Sequence, residues 1–410
     1  MDLGAKRSVD VSYPQKKSSM MDVAVSPPPD KLVDVAVVGA GITGLSIAWH
    51  LAHLGVRQVA VVERSGVGAG ASGVQPGGVR QQWGTRVNCE MAIESLAFYR
   101  DVTERLQARA RPVLEQCGYA FLAESEESLA RLAANVQLQN ELGIPSRIAT
   151  PAEVEELVPG LVGDSLAGAA WCGEDGYFDQ PQGVVEAFAE AATRSGVELM
   201  IGTVESVSQD GEGWSLQLAD GTALRAGQVV VAAGADSVSI VRPLGLSLPI
   251  EKQRRYLFLS DPIRERLVEP LVIASERHFA AKQLANGRVL SSDLAAEGDV
   301  ESGRAVWRRT VQQGVEAILP VLQFVSYPLL VEGDYDVTPD HQPILGAVDG
   351  LEGLWLAAGF SGHGFMMAPA IGRRLAAAIT GEEPRHPSLV ELSLARFGDQ
   401  TDLTRELQIV

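Results

Sequence analysis

Three glycines and one acid have the spacing that most clearly implies chemistry. Gly39, Gly41 and Gly44 form G-x-G-x-x-G immediately after the β-branched run Val35-Ala36-Val37-Val38, with Ala40, Ile42 and Thr43 completing the turn. A helix-period run follows (Leu45, Ala48, Trp49, Ala52), then Gly55 and a second strand-like run, Gln58–Val62. Glu63 ends that run, 24 residues after Gly39, and Arg64 follows it. Strand, glycine turn, helix, strand and acid make up a dinucleotide cradle. The first Gly permits the tight turn, the second lets the backbone approach a pyrophosphate, and the third allows close helix-to-strand packing. The helix N-terminus offers free N–H groups to the phosphates, and the acid accepts both hydrogen bonds of a ribose diol. The 22 residues Val35–Val56 contain no Asp, Glu, Lys or Arg. About 20 apolar residues suffice for a membrane helix, but the glycine spacing and flanking strands assign this stretch to a buried βαβ unit.

Around this cradle the chain of 410 residues is too long for one ordinary core, so two or more domains are expected. Its net charge of −18 argues against nucleic acid or anionic lipid as a general partner. Three cysteines without C-x-x-C spacing (Cys89, Cys117, Cys172) fit a reducing compartment, and the expectation is a soluble, intracellular, cytoplasmic protein. Residues 1–31 are polar, end in a Pro-rich run, lack an apolar signal core, and are expected to be a disordered arm.

Further along, small-residue loops at Gly66–Gly73 and Pro76–Gly84 precede helices expected over about 88–115, 126–142 and 182–195. Strands are expected at Gly196–Ile201 and from Val204. Hairpins are expected about Asp220-Gly221 and Asn286-Gly287. Gln228–Gly234 reads as a buried strand ending in small residues. Near the C-terminus a strand, the glycine-rich Gly359–Phe365 and a helix to Ile379 repeat the first arrangement, so the two ends of the chain are expected to meet at one ligand. The six histidines (His50, His53, His278, His341, His363, His386) show no metal-ligand spacing, and no nucleophilic triad appears.

Taken together, these pieces resemble the FAD-dependent amine and amino-acid oxidoreductases of the D-amino-acid oxidase superfamily. The carriers of the resemblance are Gly39–Gly44 with Glu63, Gly70-Ala71-Ser72-Gly73, Gly77–Gly84 and Asp175–Asp179. Later come Val231–Ala235, Thr338–Gly346 (TPDHQPILG) and Gly359–Phe365 (GFSGHGF). The wording is most similar to sarcosine oxidase β-like and proline dehydrogenase β-like chains. The resemblance implies an α/β fold, α+β overall. A discontinuous Rossmann-like FAD domain would take 32–112, 176–247 and 337–384. A substrate domain with a mixed sheet would take 113–175 and 248–336, leaving 385–410 as a tail. FAD contacts are implied for Gly39–Gly44, Glu63, Arg64, Ala71, Ser72, Gly77, Gly78, Val79, Val204, Ala233, Gly234, Gly359, Ser361, Gly362, His363, Gly364, Phe365 and Met366. Physical reasoning agrees with the last group: a helix start preceded by glycines aims N–H groups at the charge that develops on a reduced isoalloxazine.

The resemblance also marks departures. The cysteine that some relatives use to bind flavin covalently corresponds to Gly333, and no histidine lies between His53 and His278, so non-covalent FAD is expected. A lysine that helps sarcosine oxidase-like enzymes activate O2 corresponds to Leu290. Another, which binds the substrate carboxylate, corresponds to Met366. Arg80, in R-x-x-aromatic-G, remains a carboxylate candidate, and Arg254, Tyr256 and His278 are candidate site-lining residues. Strand alternation puts Arg254 and Tyr256 on one face. The expected activity is oxidation of a secondary amine or amino acid (sarcosine-, proline-, glycine- or opine-like) to an imine that hydrolyses. A dehydrogenase passing electrons to a partner subunit or carrier is favoured over a peroxide-producing oxidase. A catalytically silent FAD-binding scaffold is the alternative from another class.

Overall fold

The computed structural model describes residues 31–211, 213–398 and 403–409. The arm expected at the N-terminus lies, as far as residue 30, outside the described residues.

Strand alternation sorts the first sheet into two buried faces. Leu32–Val38 and Val59–Glu63 run parallel, with Val35 opposite Val59 and Val38 opposite Val62. Ala223–Val231 lies parallel on the other side of Leu32–Val38, and Glu198–Ile201 lies parallel beyond Val59–Glu63. Such strands read as continuous apolar runs because both faces are covered. Val35, Val37, Val61 and Val230 pack under the helices Ile42–His53, Pro181–Arg194 and Gly364–Thr380. Ala36, Val38, Val62, Val229 and Val231 join the opposite core with Trp214, Leu216 and Leu218. The nine-residue strand Ala223–Val231 serves two partners: its start pairs antiparallel with Gly213–Leu218 and its end parallel with Leu351–Ala358. The expected hairpin at Asp220-Gly221 forms there, with Gly221 at φ +85°.

The second sheet runs in the order Leu329–Val337, Glu251–Leu259, Val289–Asp293, Phe279–Gln283, Leu271–Ala274, Tyr119–Ala123, Gly168–Cys172, Arg147–Ala149. Tyr256, Phe258, Phe279, Ala281 and Val289 point to one face and pack with Trp307, Val311 and Val315 of the helix Val300–Ile318. The opposite face is left for the site. The second expected hairpin joins Phe279–Gln283 to Val289–Asp293, with Gly287 at φ +85°.

One expected helix is corrected. The single run expected over 88–115 is two helices, Arg86–Arg100 and Val102–Leu106, followed by a left-handed Gln107 and the short strand Leu114–Glu115. Gln107 and Arg111 both take positive φ, and Pro112 follows, so the helical ladder cannot continue. Among the described residues no helix is long and apolar enough to cross a membrane.

Candidate active site

The nucleotide end is built at the C-terminal ends of the parallel strands. Gly39 has φ +106°, and a Cβ there would lie 2.5 Å from the Ala232 carbonyl oxygen, so only glycine fits. The helix it introduces starts at Gly41 with no side-chain cap. Ser72, on the Ala71–Val74 turn, accepts from the Ile42 N–H at 3.0 Å. Glu63 accepts from Ala40 N and Ser65 N, both at 2.9 Å, one bond on each carboxylate oxygen. That fixes the carboxylate beside the glycine turn and leaves each oxygen further lone pairs for a diol. Gly202 N donates to the Glu63 carbonyl at 2.8 Å, and Val204, two residues on, begins the strand Val204–Asp210. Arg64 reaches across to Asp236, beside Ala233 and Gly234, in an exposed pair at 2.8 Å.

The second glycine loop closes the other end. Gly359, Ser361 and Gly362 all have positive φ. A Cβ on Gly362 would run into the Tyr335 ring. Asp336 ties this loop to its neighbouring strand, with its carboxylate accepting from Gly359 N at 2.7 Å and its carbonyl from Ser361 N at 2.9 Å. Burial pushes the Asp336 carboxyl up to about 6. His363 stands at the start of the Gly364–Thr380 helix without capping it, buried edge-on against Trp83 at 4.3 Å. Burial holds its imidazole well below the usual histidine range. Both its ring nitrogens are buried without a protein partner. Gly77 and Gly78 approach the same region: a Cβ on Gly78 would meet the Tyr119 hydroxyl and Met366.

These observations fit a flavin dinucleotide. A glycine cradle with an acid anchored beside it and a helix start at each end without a capping side chain of its own suit the dinucleotide, and the buried His363 ring nitrogens are polar atoms that the protein leaves unmatched.

On the substrate side, one face of the second sheet lines two cavities of about 190 and about 60 Å3. They share Arg255, Leu294 and Tyr335. Register explains which residues face inward. Leu259 pairs with Leu290, and Leu290 with Lys282, so alternation gives one face to Arg255, Leu257, Leu290 and Lys282. Tyr335 is opposite Gln253 and joins the same face.

This register corrects the expected pair. Arg254 and Tyr256 do share a face, but it is the wrong one. Arg254 is exposed and paired with Glu332 and Asp334, while the Tyr256 ring stacks on Trp307 at 4.0 Å and its hydroxyl donates to the Gly298 carbonyl. Tyr256 therefore borders the smaller cavity only along its backbone side. Arg255 is the arginine that faces the cavity. The signal was present in the sequence: Tyr256 and Phe258 alternate as core aromatics, which sends Arg255 and Leu257 the other way.

Arg80 is fully buried, stacked on Trp83 at 3.6 Å, and it donates to the carbonyls of Gln82 and Gln408. It lines neither of the two cavities and, in this arrangement, braces the loop. Of the other expected site residues, His278 lines the larger cavity, at φ +53°, and Met366 is half-buried against the core beside Gly78.

Three features of this region were not foreseen. Lys282 lies completely buried on the wall of the smaller cavity, opposite Leu290. His341, at φ +56°, lines the larger cavity. Residues 403–409 form a strap that reaches back into the site. Glu406 is fully buried and accepts from Gly84 N, Thr85 N, Thr85 Oγ1, Asn88 Nδ2 and Gln408 N. Ile409, three residues on, lines the larger cavity. No local sequence signal could have found the strap, because the loop and helix start that Glu406 anchors, Gly84 to Asn88, lie more than 300 positions away.

Comparison with known proteins agrees with this geometry. The profile of the family described as DAO, FAD dependent oxidoreductase, matches residues 34–378. FAD-dependent oxidoreductase domain-containing protein 1 of Bos taurus is 29% identical over 401 residues, covering 85% of this chain and 81% of that protein. Glycine oxidase of Geobacillus kaustophilus is 28% identical over 377 residues, covering 88% and 97%. The crystal structure of L-proline dehydrogenase from P. horikoshii superposes with a TM-score of 0.82 at 28% identity, covering 90% of this chain and 98% of that one. With nucleotide cradle, flavin-facing loop and fold in agreement over nearly the whole chain, the protein belongs to the DAO family and is an FAD-dependent oxidoreductase.

Proposed function

We propose that this chain oxidises a carbon–nitrogen bond of a secondary amine or amino acid whose carboxylate is held by Arg255. One observation carries the reading. Arg255 is half-buried at the junction of both cavities, touching Gln253 Oε1 at 2.9 Å and facing the Tyr335 ring, with no carboxylate partner among the described residues. A guanidinium in that position presents a fork matched to a carboxylate. Bound FAD supplies the acceptor for the hydride that leaves the substrate carbon. The chain's own residues do the rest: Arg255 orients the carboxylate, Tyr335 and Leu294 wall the cavity, and the Gly359–His363 loop holds backbone close to the ring. FAD is bound without a covalent link, since Gly333 stands where a cysteine would be required. Glycine oxidase and L-proline dehydrogenase among the relatives support the amino-acid class by their names.

The expectation of a dehydrogenase rested on the missing lysine at Leu290. Lys282 stands directly across from Leu290 on the adjacent strand, which favours a second reading in which O2 reoxidises the flavin directly. One experiment serves both. The holoprotein is mixed anaerobically with a panel of secondary amines and amino acids while flavin absorbance is followed. Bleaching is expected with at least one member, and Arg255→Met should weaken that substrate by about 10- to 100-fold. No bleaching by any member overturns the proposal. Readmitted air separates the acceptors: reoxidation within the turnover time assigns an oxidase, and slow reoxidation a dehydrogenase with a separate carrier.

A further inference from the structure

The smaller cavity contains a cation to which the substrate reading above gives no ligand. Lys282 is fully buried, its ammonium donates to the Pro76 carbonyl, and it sits over the Tyr177 ring at 3.8 Å. No carboxylate pairs with it among the described residues. Asp179, whose charge acts on it, forms no ion pair with it and accepts from the Ala285 N–H on both carboxylate oxygens at 2.8 and 3.0 Å. Asp293 also borders the cavity, but alternation turns its side chain to the far face, where it accepts from Ala295 N at 3.0 Å. A buried ammonium held only by a carbonyl and a ring is costly unless something else supplies charge. Burial, aided by the Arg266 charge, presses it down to about 7 against the pull of Asp179.

Arg255 lies on the same sheet face, four residues along and two strands across by register, about 16 Å between Cα atoms. Both long side chains border the one cavity. Two cations without acidic partners thus converge on one space in a protein whose net charge is −18.

We propose that the substrate is a dicarboxylate, an amino acid or secondary amine carrying one carboxylate on Arg255 and a second on Lys282. N-carboxyalkyl amino acids and other amines with two acid arms have this chemistry; sarcosine and proline, with one carboxylate, leave Lys282 unmatched. The inference rests on the amine-oxidation reading but is tested separately from it.

The test uses the FAD-loaded protein and calorimetric binding of non-oxidisable acids in matched pairs: succinate against propionate, glutarate against butyrate. The better diacid should bind at least about tenfold tighter than its partner, the scale of one buried charge-assisted hydrogen bond. Lys282→Met, which keeps length and apolar volume, should abolish that preference while leaving monoacid binding within about twofold, and Lys282→Arg should retain part of it. Equal binding of diacids and monoacids overturns the proposal, as does a Met variant that keeps the preference or loses both ligands together. In parallel, iminodiacetate should bleach the flavin anaerobically at lower concentration than sarcosine. If no amine bleaches it, the reading of the reaction fails, while the succinate and glutarate comparison still decides what the cation pair holds.

Discussion

Arg254 and Arg255 are neighbours in the chain with opposite surroundings, and the contrast makes the site testable at single residues. Arg254 is exposed in a surface network with Glu332 and Asp334, so Arg254→Met should leave substrate affinity and the thermal midpoint within experimental scatter. Arg255→Met should cost about 10- to 100-fold in substrate affinity with the midpoint nearly unchanged. Equal effects from the two, read by flavin-bleaching titration, would remove Arg255 from the site. Gly362 gives a steric counterpart. At φ +88° with the Tyr335 ring where a Cβ would go, Gly362→Ala should destabilise the protein by about 1–3 kcal/mol and displace Tyr335 from the cavity wall. Thermal unfolding together with ligand affinity checks this, and a neutral result would mean that the loop can relax.

At the scale of elements, legibility followed the range of the interactions. The strand–glycine–helix–strand unit and both hairpins were readable because their determinants are local: Gly39, Gly221 and Gly287 each take a positive φ at a turn between adjacent elements. The end of the helical run at Leu106 was not, since it depends on how Gln107 and Arg111 settle. The strand Glu251–Leu259 was located correctly, but its facing was not fixed until Tyr256 found Trp307 across the sheet. The strap was invisible. Its central carboxylate, Glu406, serves donors around Gly84, Thr85 and Asn88, while Gln408 closes over Arg80. Removing that acceptor strands several buried donors, so Glu406→Ala should cost about 3 kcal/mol or more, with Glu406→Gln milder. Urea denaturation of the holoprotein gives the values. A loss confined to a few tenths would show that the strap peels away without consequence for the loop it spans.

For the whole molecule, buried ionisable groups set how stability depends on pH, each in the window between its ordinary and its buried value. His50 is lowered to about 3 by burial, so its contribution is present above 6.5 and is lost as pH falls towards 3. Asp175 and Asp336 are raised by burial to about 6, so theirs is present below 3.8 and is lost as pH rises through 6. Lys282 is lowered from 10.5 to about 7, so its contribution is complete above 10.5 and is lost as pH falls through 7. The buried thiols Cys89 and Cys117, raised to about 12 and about 11, act only above their ordinary 9.0. Between 7 and 9, therefore, Lys282 should dominate the slope, and stability should rise with pH. Lys282→Met removes the buried charge, so the variant should exceed the native protein most near pH 7, with the gap closing as pH rises. Thermal midpoints measured across that range provide the comparison. If a second carboxylate belongs on Lys282, saturating glutarate should restore its charge and shrink the gap at pH 7, raising the native protein more than the variant, which still holds one carboxylate on Arg255. A gap that is constant in pH would mean that the ammonium already has its counter-charge, and the cavity would then have no vacancy for a second acid.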